Sequence, residues 1–309
     1  MTLEEILLDL KSDRVKKVIF DGDMYAEVDD QYALAYCLGS DKIEVLSVST
    51  EHFVDEARFT VLKDSMEMGY KEIFRVYDAL GIDPEKCPAY KGADNSISND
   101  PNFAPQDSPA ARNIINTVKN SDEIIYVLST GPCTAVVSAC MIDPSITKNL
   151  CVLWLGCHCI DIPNCYVSEC NLNSDYAAGQ LLLNLDIPLV LLPCHGRGSI
   201  NVYMEYEDFM RIEGDTPGAK LFREIYPRQC EKEEDKLRAI RKIMCDLVAP
   251  ATLALNDSMS YRIITAPVVT DNNRYAWDST RRKIIYMEDP DCRRIVDDAI
   301  KAINNAVKA

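Results

Sequence analysis

Val18-Ile19-Phe20-Asp21-Gly22-Asp23-Met24-Tyr25-Ala26-Glu27-Val28-Asp29-Asp30-Gln31-Tyr32-Ala33-Leu34-Ala35-Tyr36 is the stretch around which the chain is organised. A short apolar run ends in Asp21-Gly22-Asp23, an acidic loop follows, and a helical pattern opens at Asp29-Asp30. Strand, loop and helix in that order gather several carboxylates at the end of a buried strand. Like charges held that close need a cation. Oxygen-only ligands suit a hard ion, Ca2+ or Mg2+, better than zinc, which normally brings His or Cys into its set.

Outward from this stretch, strand and helix alternate. Residues 16–20 read as a strand, 31–38 as a helix closed by Gly39, and 43–49 as a second strand. Phe59, Leu62, Met66, Ile73, Val76 and Leu80 keep helical spacing, which predicts one long helix over 56–80 ended by Gly81. Residues 91–106 are polar and aperiodic, an extended loop of the kind that borders an active site. Ser108-Pro109 starts a helix, 124–128 is a strand, and Pro132 opens a helix to about residue 141. A strand over 151–155, a helix over 174–185 and a strand over 189–192 follow. Beyond Asn201 the pattern gives an acidic helical stretch, a charged helix over 231–255, short strands around Val268 and Ile284, and a terminal helix from Asp291. No repeat or low-complexity linker interrupts the chain. The expectation is an α/β fold, a single domain over 1–309 with a mostly parallel sheet covered by helices on both faces. Ligands of such sheets bind at the carboxyl ends of the strands.

The 309 residues, 47% of them hydrophobic, suffice for a substantial core. Lys plus Arg is 33 against 49 Asp plus Glu, a net charge of −16. That balance argues against nucleic acid or an anionic membrane surface as the main partner and favours a small neutral or cationic ligand. No apolar stretch reaches the roughly 20 residues that span a bilayer, and residues 1–16 lack a signal-peptide h-region, so the cytoplasm is expected. Thirteen cysteines in a chain this large are expected to be reduced, mostly buried thiols. Cys157-His158-Cys159 with Cys165 and Cys170 offers zinc-type ligands. Neighbours on a strand point to opposite faces, however, and there is no CxxC pair, so a zinc site is not expected there.

Lining up the strand ends collects Asp21, Asp23, Asp29 and Asp30, then Thr50, Glu51, His52 and Asp55, then Thr130, then Asn164, Glu169 and Asn171. Asp246 adds an acid inside the apolar run Ile243-Met244-Cys245-Asp246-Leu247-Val248-Ala249, where a carboxylate is costly unless paired or bound to metal. Each residue type also has a structural use. Paired Asp cap helices, Asp21 can anchor its strand end, Glu169 and Asn171 can form a polar turn, and Cys245 can be core packing.

These residues carry a family resemblance. The opening stretch resembles the DxDxGxDDxxAL signature of the inosine-uridine preferring nucleoside hydrolases, in the variant with two extra residues before the paired acids. Leu128-Ser129-Thr130-Gly131-Pro132-Cys133-Thr134 is similar to the family's TGPLTN segment. Glu169-Cys170-Asn171 stands where the family has EFN, and Asp246 at its late acidic position. The similarity covers about residues 16–305.

The resemblance implies a Rossmann-like single domain holding Ca2+ and hydrolysing the N-glycosidic bond of ribonucleosides to free base and ribose. By position, Asp23 and Asp30 are implied as side-chain ligands, Thr130 through its carbonyl, and Asp246 to complete the set. Asp29 is implied at the ribose hydroxyls, Asn171 at the 3′ side, Asn164 with Glu169 at the 5′-hydroxyl, and Asp23 as general base. A homodimer or homotetramer is implied as the assembly. The chemistry is coherent: carboxylates stabilise an oxocarbenium-like transition state, and an activated water attacks opposite the leaving base.

The sequence departs from the family in three places. Cys245 stands where classical members have a His that protonates the leaving base. The Asn after the second strand has no counterpart beyond Val54 or Asp55, and Asn164 to Glu169 is one residue short. His52 and His158 are candidate substitutes near the pocket. Base-contacting residues are expected around 95–105 and after Arg197. Two other readings fit part of the pattern: a haloacid-dehalogenase-like phosphatase with Asp21 as nucleophile, and a catalytically degenerate nucleoside- or ribosyl-binding protein.

Overall fold

Alternate residues of the first strand enter two different hydrophobic layers, Val18 and Phe20 one, Ile19 the other. The same alternation recurs in every inner strand (Leu128 against Val127, Leu153 against Val152, Val190 against Leu191), which requires a sheet covered on both faces. In the computed structural model, which describes residues 2–55, 60–61, 63–162, 167, 169–230, 241–255 and 257–308, that sheet has eight strands. They are β1 (Lys16–Gly22), β2 (Ile43–Thr50), β3 (Ala89–Lys91), β4 (Ile125–Ser129), β5 (Leu150–Leu155), β6 (Leu189–Leu192), β7 (Ser260–Thr265) and β8 (Lys283–Glu288). Their spatial order is β7-β8-β6-β5-β4-β1-β2-β3. All run parallel except β7, which pairs antiparallel with β8 at one edge.

The helices are α1 (Leu3–Leu10), α2 (Asp29–Gly39), α3 (Ser65–Leu80), α4 (Pro109–Lys119), α5 (Thr134–Ile142), α6 (Cys170–Ser174), α7 (Tyr176–Asn184), α8 (Tyr206–Phe209), α9 (Pro217–Cys230), α10 (Val248–Ala254) and α11 (Cys292–Ala306). Residues of α1, α2, α3, α9, α10 and α11 share one layer, and those of α4, α5 and α7 the other. The chain moves outward from β1 through β2 to β3, then returns to the opposite side of β1 with β4. The strand order therefore reverses between β1 and β4, the place where open parallel sheets leave a crevice beyond their carboxyl ends. Asp23 follows β1 and Thr130 follows β4.

Several expected boundaries are corrected. The helix expected over 56–80 begins at Ser65, because Asp64 adopts a left-handed backbone (φ 93°) that no helix can run through. Upstream, Val54–Asp55 pairs antiparallel with Thr60–Val61, and residues 56–59 and 62 lie outside the described residues. The helix over 174–185 is broken at Asp175 (φ −150°, ψ 85°), whose carboxylate instead caps α7 through the Ala178 N–H. Of the charged helix over 231–255, residues 231–240 lie outside the described residues. The rest forms a short strand Lys242–Ile243 paired with Tyr203–Met204, a 3-10 turn Cys245–Leu247, and α10. Pro250 sits in the first turn of α10, where its missing N–H costs nothing; in a helix begun at 231 it would be interior. Gly39 is the last residue of α2 rather than its cap. A Cβ there would stand 1.8 Å from the Ala302 carbonyl oxygen, so glycine is needed for α11 to lie against α2. β7 was not anticipated, and Val268 belongs to a small hairpin with Arg274–Ala276 outside the main sheet. Among the described residues no helix is long and apolar enough to cross a membrane, and no two cysteines form a disulfide.

Candidate active site

Register brings the strand ends together residue by residue. Asp21 of β1 lies opposite Ser49 of β2 and Ser129 of β4. The Thr130 N–H donates to the Asp21 carbonyl (2.9 Å) and the Glu51 N–H to the Gly22 carbonyl (2.8 Å), so the three strands end level. Gly22 and Gly131 are required by this closeness. A Cβ on Gly22 would come within 2.2 Å of Asp30 Oδ1, and one on Gly131 within 2.8 Å of the Asp23 nitrogen.

Beyond these ends lies a cavity of about 550 Å³ lined by Asp23, Asp29, Asp30, Thr130, Glu169, Asn171 and Asp246, among others. Asp29 and Asp30 occupy the first turn of α2, whose exposed N–H groups favour negative charge. Asp30 Oδ1 accepts from the Thr130 hydroxyl (2.7 Å), and Asp29 Oδ2 accepts from the Asp246 N–H (3.4 Å). Asp23, Asp29, Asp30 and Asp246 are all buried. Burial and then the charge of Asp30 hold the Asp23 carboxyl well above the usual range; burial and then Asp29, Asp30 and Asp23 do the same for Asp246. Burial raises Asp30 as well and pushes Asp29 up to about 7 despite Lys242. Four buried carboxyls gathered at one cavity are costly to ionise together unless a cation joins them. The donor set is all oxygen, which fits a hard divalent ion and not a soft one.

Thr130 and Asn171 are tied to each other. Asn171 Nδ2 donates to the Thr130 carbonyl (2.6 Å) and the Leu155 carbonyl (2.9 Å), bridging the ends of β4 and β5. Glu169 caps α6. Its carboxylate accepts from the N–H groups of Asn171, Leu172 and Cys157, while burial pushes it up to about 7. The polar-turn role and a place on the cavity wall thus coexist in these two residues. Asn164 lies outside the described residues.

Other expectations are corrected. Asp21 anchors its strand end, as its structural use suggests, accepting from the Ser49 hydroxyl (2.5 Å) inside the sheet; it does not line the cavity, which removes the position a phosphatase nucleophile would need. His52 is buried between the carbonyls of Ala93 and Ser174 and does not reach the cavity, whereas His158 does. No residue of 95–105 lines it, because Asp175 draws that loop away through the N–H groups of Ile97 and Ser98. The wall there comes from Cys194, His195, Ile200, Arg241, Lys242, Ile243 and Cys245. Of these, His195 and Lys242 were missed. Cys194-His195 follows β6 after Pro193 on the same carboxyl edge, a signal present in the sequence; Lys242 had none. The Lys242 ammonium contacts Glu27. Burial opposes its charge, but Asp29 and Glu27 together leave its pKa raised. The extra residues after Asp23 form a turn closed by the Ala26 N–H on the Asp23 carbonyl (2.9 Å), and Ala26 and Glu27 line the cavity wall. Contact with Cys194, then burial, holds the Cys245 thiol well above its usual range.

In structure the chain is similar to a purine-preferring ribonucleoside hydrolase from Gardnerella vaginalis, with a TM-score of 0.74, 19% identity, and 95% of this chain and 99% of that one covered. It is similar also to a plant nucleoside hydrolase (TM-score 0.73, 15% identity, 94% and 99% covered). A third is an inosine-uridine preferring nucleoside hydrolase from Bacillus anthracis (TM-score 0.67, 17% identity, 94% and 100% covered). A search of curated proteins finds no sequence match. At such identities the structural likeness speaks for the fold. A sequence model of the inosine-uridine preferring nucleoside hydrolases, however, matches residues 18–295, from the middle of β1 into α11. The chain belongs to the inosine-uridine preferring nucleoside hydrolase family, a family of N-glycosyl hydrolases.

Proposed function

We propose that the protein hydrolyses the N-glycosidic bond of ribonucleosides in a Ca2+-dependent reaction with Asp23 as general base. The observation that carries this reading is the convergence of Asp23, Asp29, Asp30 and Asp246, all buried, at the switch point of the sheet. Asp23, Asp30, Asp246 and the Thr130 carbonyl would hold the ion. When bound, it supplies a more acidic water and a fixed seat for the ribose diol.

The remaining roles fall to the chain. Asp23 accepts the proton of the attacking water at a carboxylate oxygen. Asp29 binds the ribose hydroxyls, Asn171 lies toward the 3′ side, and Glu169 with Asn164 binds the 5′-hydroxyl. The acids around the sugar stabilise the positive charge that develops as the base departs. Cys245, whose thiol pKa is held well above its usual range, is a poor proton donor to that base. A homodimer or homotetramer in the cytoplasm belongs to this proposal.

The test is base release from a panel of purine and pyrimidine ribonucleosides, followed by ultraviolet absorbance after chelation and again with added Ca2+. Release should require the ion, and Asp23→Asn should lower kcat/KM by about 100- to 10,000-fold. Absence of release from every nucleoside would sink the proposal in favour of the binding-protein reading, and phosphate release from small esters would favour the phosphatase.

A further inference from the structure

At the other end of the cavity the ligands change character. His158, Cys194 and His195 each present a nitrogen or sulfur, and these atoms all lie within 4.8 Å of one another. Cys245 adds a second sulfur, 3.9 Å from that of Cys194. That separation is far longer than a disulfide bond of about 2.05 Å. Two sulfurs bound to one tetrahedral zinc at about 2.3 Å stand roughly 3.8 Å apart. The two thiols already have that spacing.

The backbone holds the set in place. The loops after β5 and β6 are zipped by the Cys194 N–H on the Cys157 carbonyl (2.9 Å) and the Cys159 N–H on the His195 carbonyl (3.1 Å). His158 is thereby set against His195, their rings 4.6 Å apart and nearly perpendicular. Cys245 arrives separately, on the 3-10 turn that also carries Asp246. His158, Cys194 and Cys245 are partly exposed and His195 is exposed, so side-chain rotation can bring the donors to the roughly 3.3–3.8 Å spacing of a tetrahedral site. Nothing in the hydrolytic reading uses these four residues as a group.

We propose that His158, Cys194, His195 and Cys245 form a second metal site, specific for a thiophilic divalent ion of the zinc class and separate from the all-oxygen site. Imidazole and thiolate select such an ion as firmly as the carboxylates select a hard one. The bound ion joins the turn bearing Asp246 to the ends of β5 and β6, fixing the wall of the cavity. The proposal is independent of the reaction assigned to the protein.

The experiment is calorimetric titration of the Ca2+-saturated protein with Zn2+, alongside absorption spectra on Co2+ addition. One equivalent should bind, and Co2+ should give a thiolate-to-metal charge-transfer band. Cys194→Ser should weaken Zn2+ binding by about 100-fold and remove the band. His195→Ala, at an exposed position, should weaken it by about tenfold while leaving the far-ultraviolet circular dichroism unchanged. Cys140→Ser, remote in α5, should change neither. Failure to bind Zn2+ in the presence of Ca2+, or binding that survives both Cys194→Ser and His195→Ala undiminished, overturns the proposal.

Discussion

Lys242 shows how a single side chain sets the working range of the site. It lowers the pKa of Asp29, which burial otherwise pushes up. Lys242→Met removes that opposing charge, so Asp29 should stay protonated to a higher pH. The acidic limb of the kcat/KM profile should move upward by about one unit, with little change on the alkaline side. An unmoved limb would mean that Asp29 is not the group being titrated. Asp175 is the structural counterpart. Its carboxylate accepts from the Ile97, Ser98 and Ala178 N–H groups and from the Ser98 and Thr134 hydroxyls. Asp175→Ala should destabilise the fold by roughly 2 to 4 kcal/mol in urea unfolding, because it orphans several buried donors at once. In the sequence, Asp23, Asp30 and Asp246 were legible because acids inside apolar runs demand an explanation. Asp175 falls within the helix expected over 174–185 and is not marked out there. Nothing local signals the four donors that come from two other segments, Ile97-Ser98 and Thr134.

Among the elements, the turns after β1 and β4 matter most, since they carry the acids and touch each other. Gly131→Ala would set a Cβ against the Asp23 backbone, which cannot rotate away as a side-chain tip could. The two turns must then separate, and Ca2+ affinity should fall at least tenfold while far-ultraviolet circular dichroism stays unchanged. Retained affinity would show that Asp23 is free to shift. The alternation of strands and helices was readable because apolar period and Pro or Gly punctuation agree over most of the chain. It failed where one local angle overrode the period, as at Asp64, and where half-exposed residues gave no period, as in β7, whose burial is mixed along its length. The place of Lys242 in the cavity wall was illegible for a related reason. Loops have no period, and strand pairing such as Lys242 with Met204 decides where they go.

For the molecule as a whole, the gathered acids make stability depend on pH in an unusual direction. Asp21, Asp29 and Glu169 are each pushed up to about 7 from ordinary values of 3.8 or 4.5. A carboxyl whose folded pKa exceeds its unfolded one binds protons more tightly in the folded state, so folding weakens as pH rises between the two values. The cost is absent below the unfolded pKa and complete above the folded one. The melting temperature of the metal-free protein should therefore fall by several degrees between about pH 5 and about pH 7.5, and millimolar Ca2+ should cancel much of the fall. A melting temperature that rises across this window without metal would refute the account.

The Asp246 N–H reaches Asp29 across 217 residues. A nascent chain therefore exposes its first acids long before the last one exists. At about 5 to 20 residues per second, synthesis of the intervening chain takes roughly 10 to 40 s. Throughout that interval the ribosome holds an incomplete acidic cluster with no seat for an ion. On the proposed reading, the hard-metal site is closed only once the segment bearing Asp246 has been translated, so ion loading follows the synthesis of that segment.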